Sequence, residues 1–244
     1  MCWSVEATVA MTAVGGAATV ASRMRGHPPA IWLTLGYFTL MEVLQLAGYA
    51  VIDQCGTPAN RAVTWLSYLH IAFQPLFINA FALELVPAPV RARARVWALG
   101  AAALATAVML AQVAPPPGVG PCRPGFALCA EALCTVSGDW HIAWNIPYNG
   151  LTLPLEDALG IRPAFPSYMI AVFVVPLLYG AWRFVGMHLL SGPVLAHALT
   201  DNLNEMPAVW CLFSIMILLV ALSPAVRRVA STRTWWGRQV EGAT

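Results

Sequence analysis

Apolar residues gather in seven runs along the chain, at about 4–22, 30–52, 63–86, 96–114, 139–159, 167–187 and 193–222. Each is close to the ~20 residues that carry a helix across a bilayer. The pattern predicts an all-α polytopic membrane protein: a seven-helix transmembrane bundle over 1–230, followed by a cytoplasmic tail over 231–244. The fifth run is the weakest, because Pro147, Pro154, Glu156 and Asp157 interrupt it. The first is rich in Ala, Val and Gly and suited to close packing. It lacks a basic region and a cleavage site and contains Glu6, so it is expected to be retained.

Composition agrees with a bilayer as solvent. The chain is 59% hydrophobic and 10% charged, against about 25% charged in soluble domains. Its cationic side chains are 13 Arg and no Lys, which excludes a retinal Schiff base. No charge run suggests nucleic acid as a partner. Arg23, Arg25, Arg91, Arg93 and Arg95 fall in the first and third connections, and Arg227, Arg228, Arg233 and Arg238 in the tail. The alternate connections carry Arg61 and Arg123, with Arg183 near a helix end. Positively charged loops stay inside, so the N-terminus is expected outside and the C-terminus in the cytoplasm of a multi-pass cell-membrane protein, in a bacterial inner membrane. That topology places Cys2, Cys55, Cys122, Cys129 and Cys134 on the oxidising side and Cys211 in a span. One disulfide within the 115–139 loop and one to Cys55 are expected. The rival, a thiolate metal site, has spacings of six and four residues that match no zinc pattern. The tail from Ser231 is expected to be loose, with Trp235 and Trp236 at the interface.

Candidate chemistry lies in the polar residues inside apolar runs. The stretch from His188 to Cys211 carries His197, Asp201, Asn202, Asn204 and Glu205. On a helix, His197, Asp201 and Glu205 would share one face. The third run has Ser67, His70, Gln74 and Asn79, and the fifth has His141, Asn145 and Asn149, each a histidine with a polar side chain at i+4. Counted from the outer helix ends at ~1.5 Å per residue, His70 lies ~10 Å and Asp201 ~12 Å deep. Glu42 and Glu6 also fall in the outer half. Such residues are costly in hydrocarbon and mark functional sites by default, although polar glue between helices is the bland alternative. Pro75, Pro147 and Pro207 follow these polar sites and predict bent or broken helices.

The segments MCWS, SYLHIAFQPLFINAF, CTVSGDWHIAWNIPYNG and Asp201–Cys211 resemble a bacterial family of integral membrane proteins of unknown function. A weaker likeness is to seven-span hydrolases such as alkaline ceramidases and adiponectin receptors, which hold zinc through histidines with a Ser and an Asp nearby. Ser67-x-x-His70 and His197-x-x-x-Asp201 echo that arrangement. The families show Ser-x-x-x-His and His-x-x-x-His instead, and hold their metal near the cytoplasmic side.

These features predict a metal-dependent membrane enzyme, a hydrolase acting on a small lipidic substrate from the outer leaflet. His70, His141 and His197 would bind zinc or iron, with Asp201 as a fourth ligand or a water-orienting group. Gln74, Asn145 and Asn149 would orient the ligands, and Glu42 or Glu205 would serve as general base. Two alternatives use the same residues: a proton- or cation-coupled transporter, and a haem b protein with two axial histidines.

Overall fold

The computed structural model describes residues 5–114, 118–159, 165–213, 215–232, 234–235 and 238–239. Cys2, the MCWS opening, Arg233 and Trp236 lie outside them. Four helices are long and apolar enough to cross a membrane: α1 (Val5–Met24), α2 (Pro29–Ala50), α3 (Pro58–Leu83) and α4 (Ala88–Val113). Proline stands in the first turn of α2, α3 and α4, where its fixed φ suits the helix and its missing N–H costs nothing. Thr57 caps α3 by accepting from Asn60 N. α1 packs on α2, α2 on α3 and α3 on α4.

The fifth apolar run is no helix across its length. Residues Cys134–Ser137 (β1) and Ile142–Asn145 (β2) form an antiparallel hairpin, closed by Gly138 N donating to His141 O. The all-α expectation is corrected here, and again by the small pair Thr234–Trp235 (β3) with Arg238–Gln239 (β4) in the tail expected to be loose. Ser137-Gly138-Asp139 is a turn signal, and Pro147 bars a helix that would begin at His141. A short helix, α5 (Leu153–Leu159), follows. Arg123 joins Asp157 in a bidentate pair at 2.8 and 3.0 Å, which ties α5 to the loop before β1.

This segment forms a cap over one end of the bundle. Both expected disulfides are present: Cys122 with Cys129 inside the cap, and Cys134 with Cys55 in the α2–α3 connection. Buried Asn60 joins α3 to β1 as another strand would, donating to Thr135 O at 2.8 Å and accepting from Thr135 N at 3.0 Å. Asn149 donates to Ala111 O and Ala114 O and so satisfies carbonyls at the C-terminus of α4.

Beyond the cap, α6 (Pro166–Leu178) runs away from it. After a turn at Tyr179–Ala181, α7 covers 182–199 and returns to the cap. Thr200 is extended and ends it; α8 (Met206–Phe213) and α9 (Ile215–Leu222) then lead away again, followed by α10 (Pro224–Ala230). The expected sixth and seventh spans are thus re-divided. Thr200, Asp201, Asn202 and Asn204 are turn formers, and Pro207 starts α8 instead of kinking a longer helix. Both α6 and α7 contain a π-helical turn, at Ile170–Val174 and Leu190–Val194. A wide turn frees a carbonyl; Asn79 of α3 donates to one of them, Ala171 O, at 2.8 Å, and to Pro75 O.

At the opposite end of the bundle, Thr232 N donates to Leu85 O. Arg183 reaches Ser231 O there, and Arg227 approaches His27. Arg183 therefore joins the arginine-rich end, not the opposite one as the spacing suggested. Among the described residues, Arg61 and Arg123 remain at the cap end.

Candidate functional site

Two polar groupings lie between cap and bundle. The outer one centres on Glu205, fully buried at the start of α8. Its Oε1 accepts from Trp140 N at 2.6 Å and, in a very short contact, from His141 N. Its Oε2 accepts from Asp139 N at 3.2 Å and from the Thr200 hydroxyl at 2.6 Å. Successive N–H groups of a turn make an anion-binding concavity, and here the anion is the protein's own. A Cβ on Gly138 would stand 2.7 Å from the Glu205 carboxyl carbon, so this approach requires glycine. Asn204 Nδ2 donates to Asn145 Oδ1, and Trp144 N to Asn204 O, closing the same seam.

His141 points inward from this turn. Gln45 Nε2 donates to Ala208 O, which leaves Gln45 Oε1 facing His141 Nε2 at 3.0 Å. Nε2 therefore carries the ring proton, and Nδ1 accepts from the Tyr49 hydroxyl at 2.6 Å. Burial pushes His141 down to about 3 from its ordinary 6.5, so it is neutral at pH 7. The unfolded chain then binds a proton that the folded one refuses between these values. Stability from this group is complete above pH 6.5 and falls as the pH drops toward 3, by roughly 1.4 kcal/mol per pH unit at most. The stability of the wild type is expected to fall between pH 6.5 and 5 by roughly 2 kcal/mol more than that of His141→Asn. Parallel pH profiles would refute this account of His141.

The inner grouping surrounds His70. Its Nε2 bonds Tyr37 O at 2.6 Å, and the Tyr37 hydroxyl donates back to His70 O at 2.6 Å. The two rings stack at 3.9 Å. Gln74 Nε2 lies 3.4 Å from His70 Nδ1 and 3.6 Å from Cys211 Sγ. Its Oε1 accepts from the Tyr168 hydroxyl at 2.6 Å. Beside Gln74 and Tyr168 is a cavity of about 170 Å³ below the cap, with Leu128, Phe165, Pro193 and Trp210 in its walls. Trp210 sits flat against Gly192 in the π-helical turn of α7, where a Cβ would come within 2.3 Å of the indole nitrogen. Behind Trp210, His188 is buried among Phe173, Phe184 and Trp210, and its Nδ1 has no hydrogen-bond partner among the described residues.

The structure does not gather the expected metal ligands. His70 and His141 are committed to separate partners, and His197 is exposed near the end of α7, as is Asp201 in the turn after it. The His197–Asp201–Glu205 face is lost because the helix stops at Leu199. Asn145 and Asn149 do not form a helical stripe with His141, because β2 and a loop replace the helix. Among the described residues no three His, Cys, Asp or Glu side chains are grouped to hold a metal ion. Among the described residues, His70, His141 and His197 are therefore not assembled into one metal centre. Ser67 and Glu42 are buried, and Ser67 Oγ and Glu42 Oε2 have no hydrogen-bond partner among the described residues. Gln74 remains at the centre of the inner grouping. Tyr37 and Tyr168 were missed, although a tyrosine within an apolar run signals a hydroxyl that needs a partner. No curated protein and no solved structure matches the chain. Residues 6–231 match the model of a family of unknown function (DUF5765), and the chain belongs to that family.

Proposed function

We propose that this is a seven-pass membrane protein that binds a small lipidic molecule in the cavity beneath its cap. α1 to α4 supply four passes, α6 and α7 the fifth and sixth, and α8 with α9 the seventh. With α6 of only 13 residues, the fifth pass reaches about 20 Å, which draws the cap toward the hydrocarbon on that side. Eight described arginines at the end opposite the cap (Arg23, Arg25, Arg91, Arg93, Arg95, Arg183, Arg227 and Arg228) favour that end as cytoplasmic. Two disulfides at the cap agree with an oxidising exterior.

The observation that carries the binding reading is the cavity itself. It is lined by apolar and aromatic side chains, with one convergent polar pair, Gln74 and Tyr168. That combination holds an apolar ring or chain end and orients one carbonyl or hydroxyl group. Binding is favoured over metal-dependent hydrolysis because His70 and His141 hold separate protein partners and His197 is exposed.

The test uses protein purified in detergent and a ring-sized probe with one hydroxyl, such as naphthol. At a hundredfold excess over its dissociation constant, the probe is expected to stabilise the wild type by about 2.7 kcal/mol. Gln74→Leu and Tyr168→Phe should weaken probe binding roughly tenfold or more, the effect of losing a buried hydrogen bond. A wild type that the probe does not stabilise, and that releases no apolar compound on solvent extraction, would refute the reading.

A further inference from the structure

The arginine-rich end of the bundle carries a groove of about 730 Å³ between α7 and α10. Trp182, Gly186 and Met187 form one wall and Ala225 and Val229 the other, with Arg183 and Arg228 as its charged groups. Among the described residues no carboxylate lines it. Arg183 lies over the Trp182 ring at 5.1 Å and spends one nitrogen on Ser231 O at 3.3 Å. A guanidinium has five N–H donors, so most remain for a ligand.

The neighbouring arginine behaves differently. Arg227 turns back into the bundle, where Nε donates to Val220 O and Nη2 to Ala221 O, satisfying carbonyls at the end of α9. Of two consecutive cations, one closes a helix and the other is exposed in the groove. The apolar wall is open too: Trp182 is 45% and Val229 64% exposed. The groove also lies at the start of α7, where the helix dipole favours negative charge.

We infer that this groove binds the phosphate headgroup of an anionic phospholipid. Arg183 and Arg228 hold the phosphate, Trp182 sits at headgroup level, and Val229 and Met187 lie along the first acyl carbons. The two positive charges supply the preference for a lipid of net negative charge, and basic grooves on the cytoplasmic side of helix bundles suit such headgroups. The inference rests on the membrane reading above but not on the cavity beneath the cap.

Native mass spectrometry of the full chain, offered equal phosphatidylglycerol and phosphatidylcholine, tests it. The wild type is expected to retain one phosphatidylglycerol in preference. Arg183→Gln with Arg228→Gln should lower that retention roughly tenfold or more, while Arg61→Gln with Arg123→Gln at the cap end leaves it unchanged. Arg183→Lys with Arg228→Lys keeps the charge and should keep most of the binding, which separates lost recognition from lost folding. Equal retention by the wild type and the glutamine pair overturns the inference, as does loss in the lysine pair equal to that in the glutamine pair. Displacement of the lipid by inorganic phosphate at equal concentration would also overturn it, by showing a site for free phosphate. Reporter fusions at Arg93 and Gly125 keep the two readings apart: the same side for both refutes the seven-pass topology, whereas opposite sides with no lipid preference refute this inference alone.

Discussion

Glu205→Gln is expected to destabilise the protein by on the order of 3 kcal/mol, with the loss concentrated where the cap meets the bundle. The wild-type carboxylate is surrounded by donors alone: the backbone N–H groups of Asp139, Trp140 and His141, and the Thr200 hydroxyl. An amide keeps one acceptor oxygen and turns an NH2 group toward the remaining donors. An N–H group of the new amide then faces a backbone N–H, and that backbone donor loses its acceptor. Unfolding in detergent, combined with hydrogen exchange at residues 139–141, reads the effect directly. Exchange at those three amides should quicken well before that of α3. Unchanged exchange and an unchanged unfolding midpoint would show that the seam between cap and bundle does not depend on this carboxylate.

Replacing Cys55 and Cys134 by Ser is expected to cost about 4 kcal/mol, because that bridge closes a long loop in the unfolded chain. The two cysteines are separated by 79 residues, against seven for Cys122 and Cys129. Removing the short bridge should cost about 2 kcal/mol on the same argument. Asn60 and Asp53 still hold β1 to the α2–α3 connection after the longer bridge is lost, so the folded cap should keep its shape while the unfolding midpoint falls. Comparing both double variants under non-reducing conditions decides the matter. A larger loss from the short bridge would reverse the expected order and place the cap's stability in its local turn.

The first four helices were legible because apolar length dominates there. The expected runs 4–22, 30–52, 63–86 and 96–114 became Val5–Met24, Pro29–Ala50, Pro58–Leu83 and Ala88–Val113. The starts of the last three shifted toward prolines that the hydropathy pattern alone does not weigh. Cysteine pairing was legible in outline too, since one side of the topology collected the loop cysteines and Cys55. Past Val113 the same reasoning fails for a physical reason. A spacing of four places two side chains on one face of a helix, but four is also even, so it places them on one face of a strand. His141 and Asn145 satisfy both readings, and Gly138 and Pro147 decide for the hairpin.

The partners of the buried polar groups were beyond any local pattern. His70 bonds the backbone of Tyr37, 33 residues earlier; His141 meets Gln45, 96 residues earlier, and Glu205 meets a turn 64 to 66 residues before it. Residue type told that each of these groups needs a partner, since an unpaired polar atom is costly in an apolar interior. It could not tell whether three imidazoles would share a metal or take three separate partners, because both outcomes satisfy the same need. Helix length and apolar content are properties of a segment and survive any arrangement of the chain. Convergence is a property of the packed bundle: it was settled by where the cap docks on α2 and α3 and by the turn at Thr200, which left His197 exposed while bringing Glu205 inside.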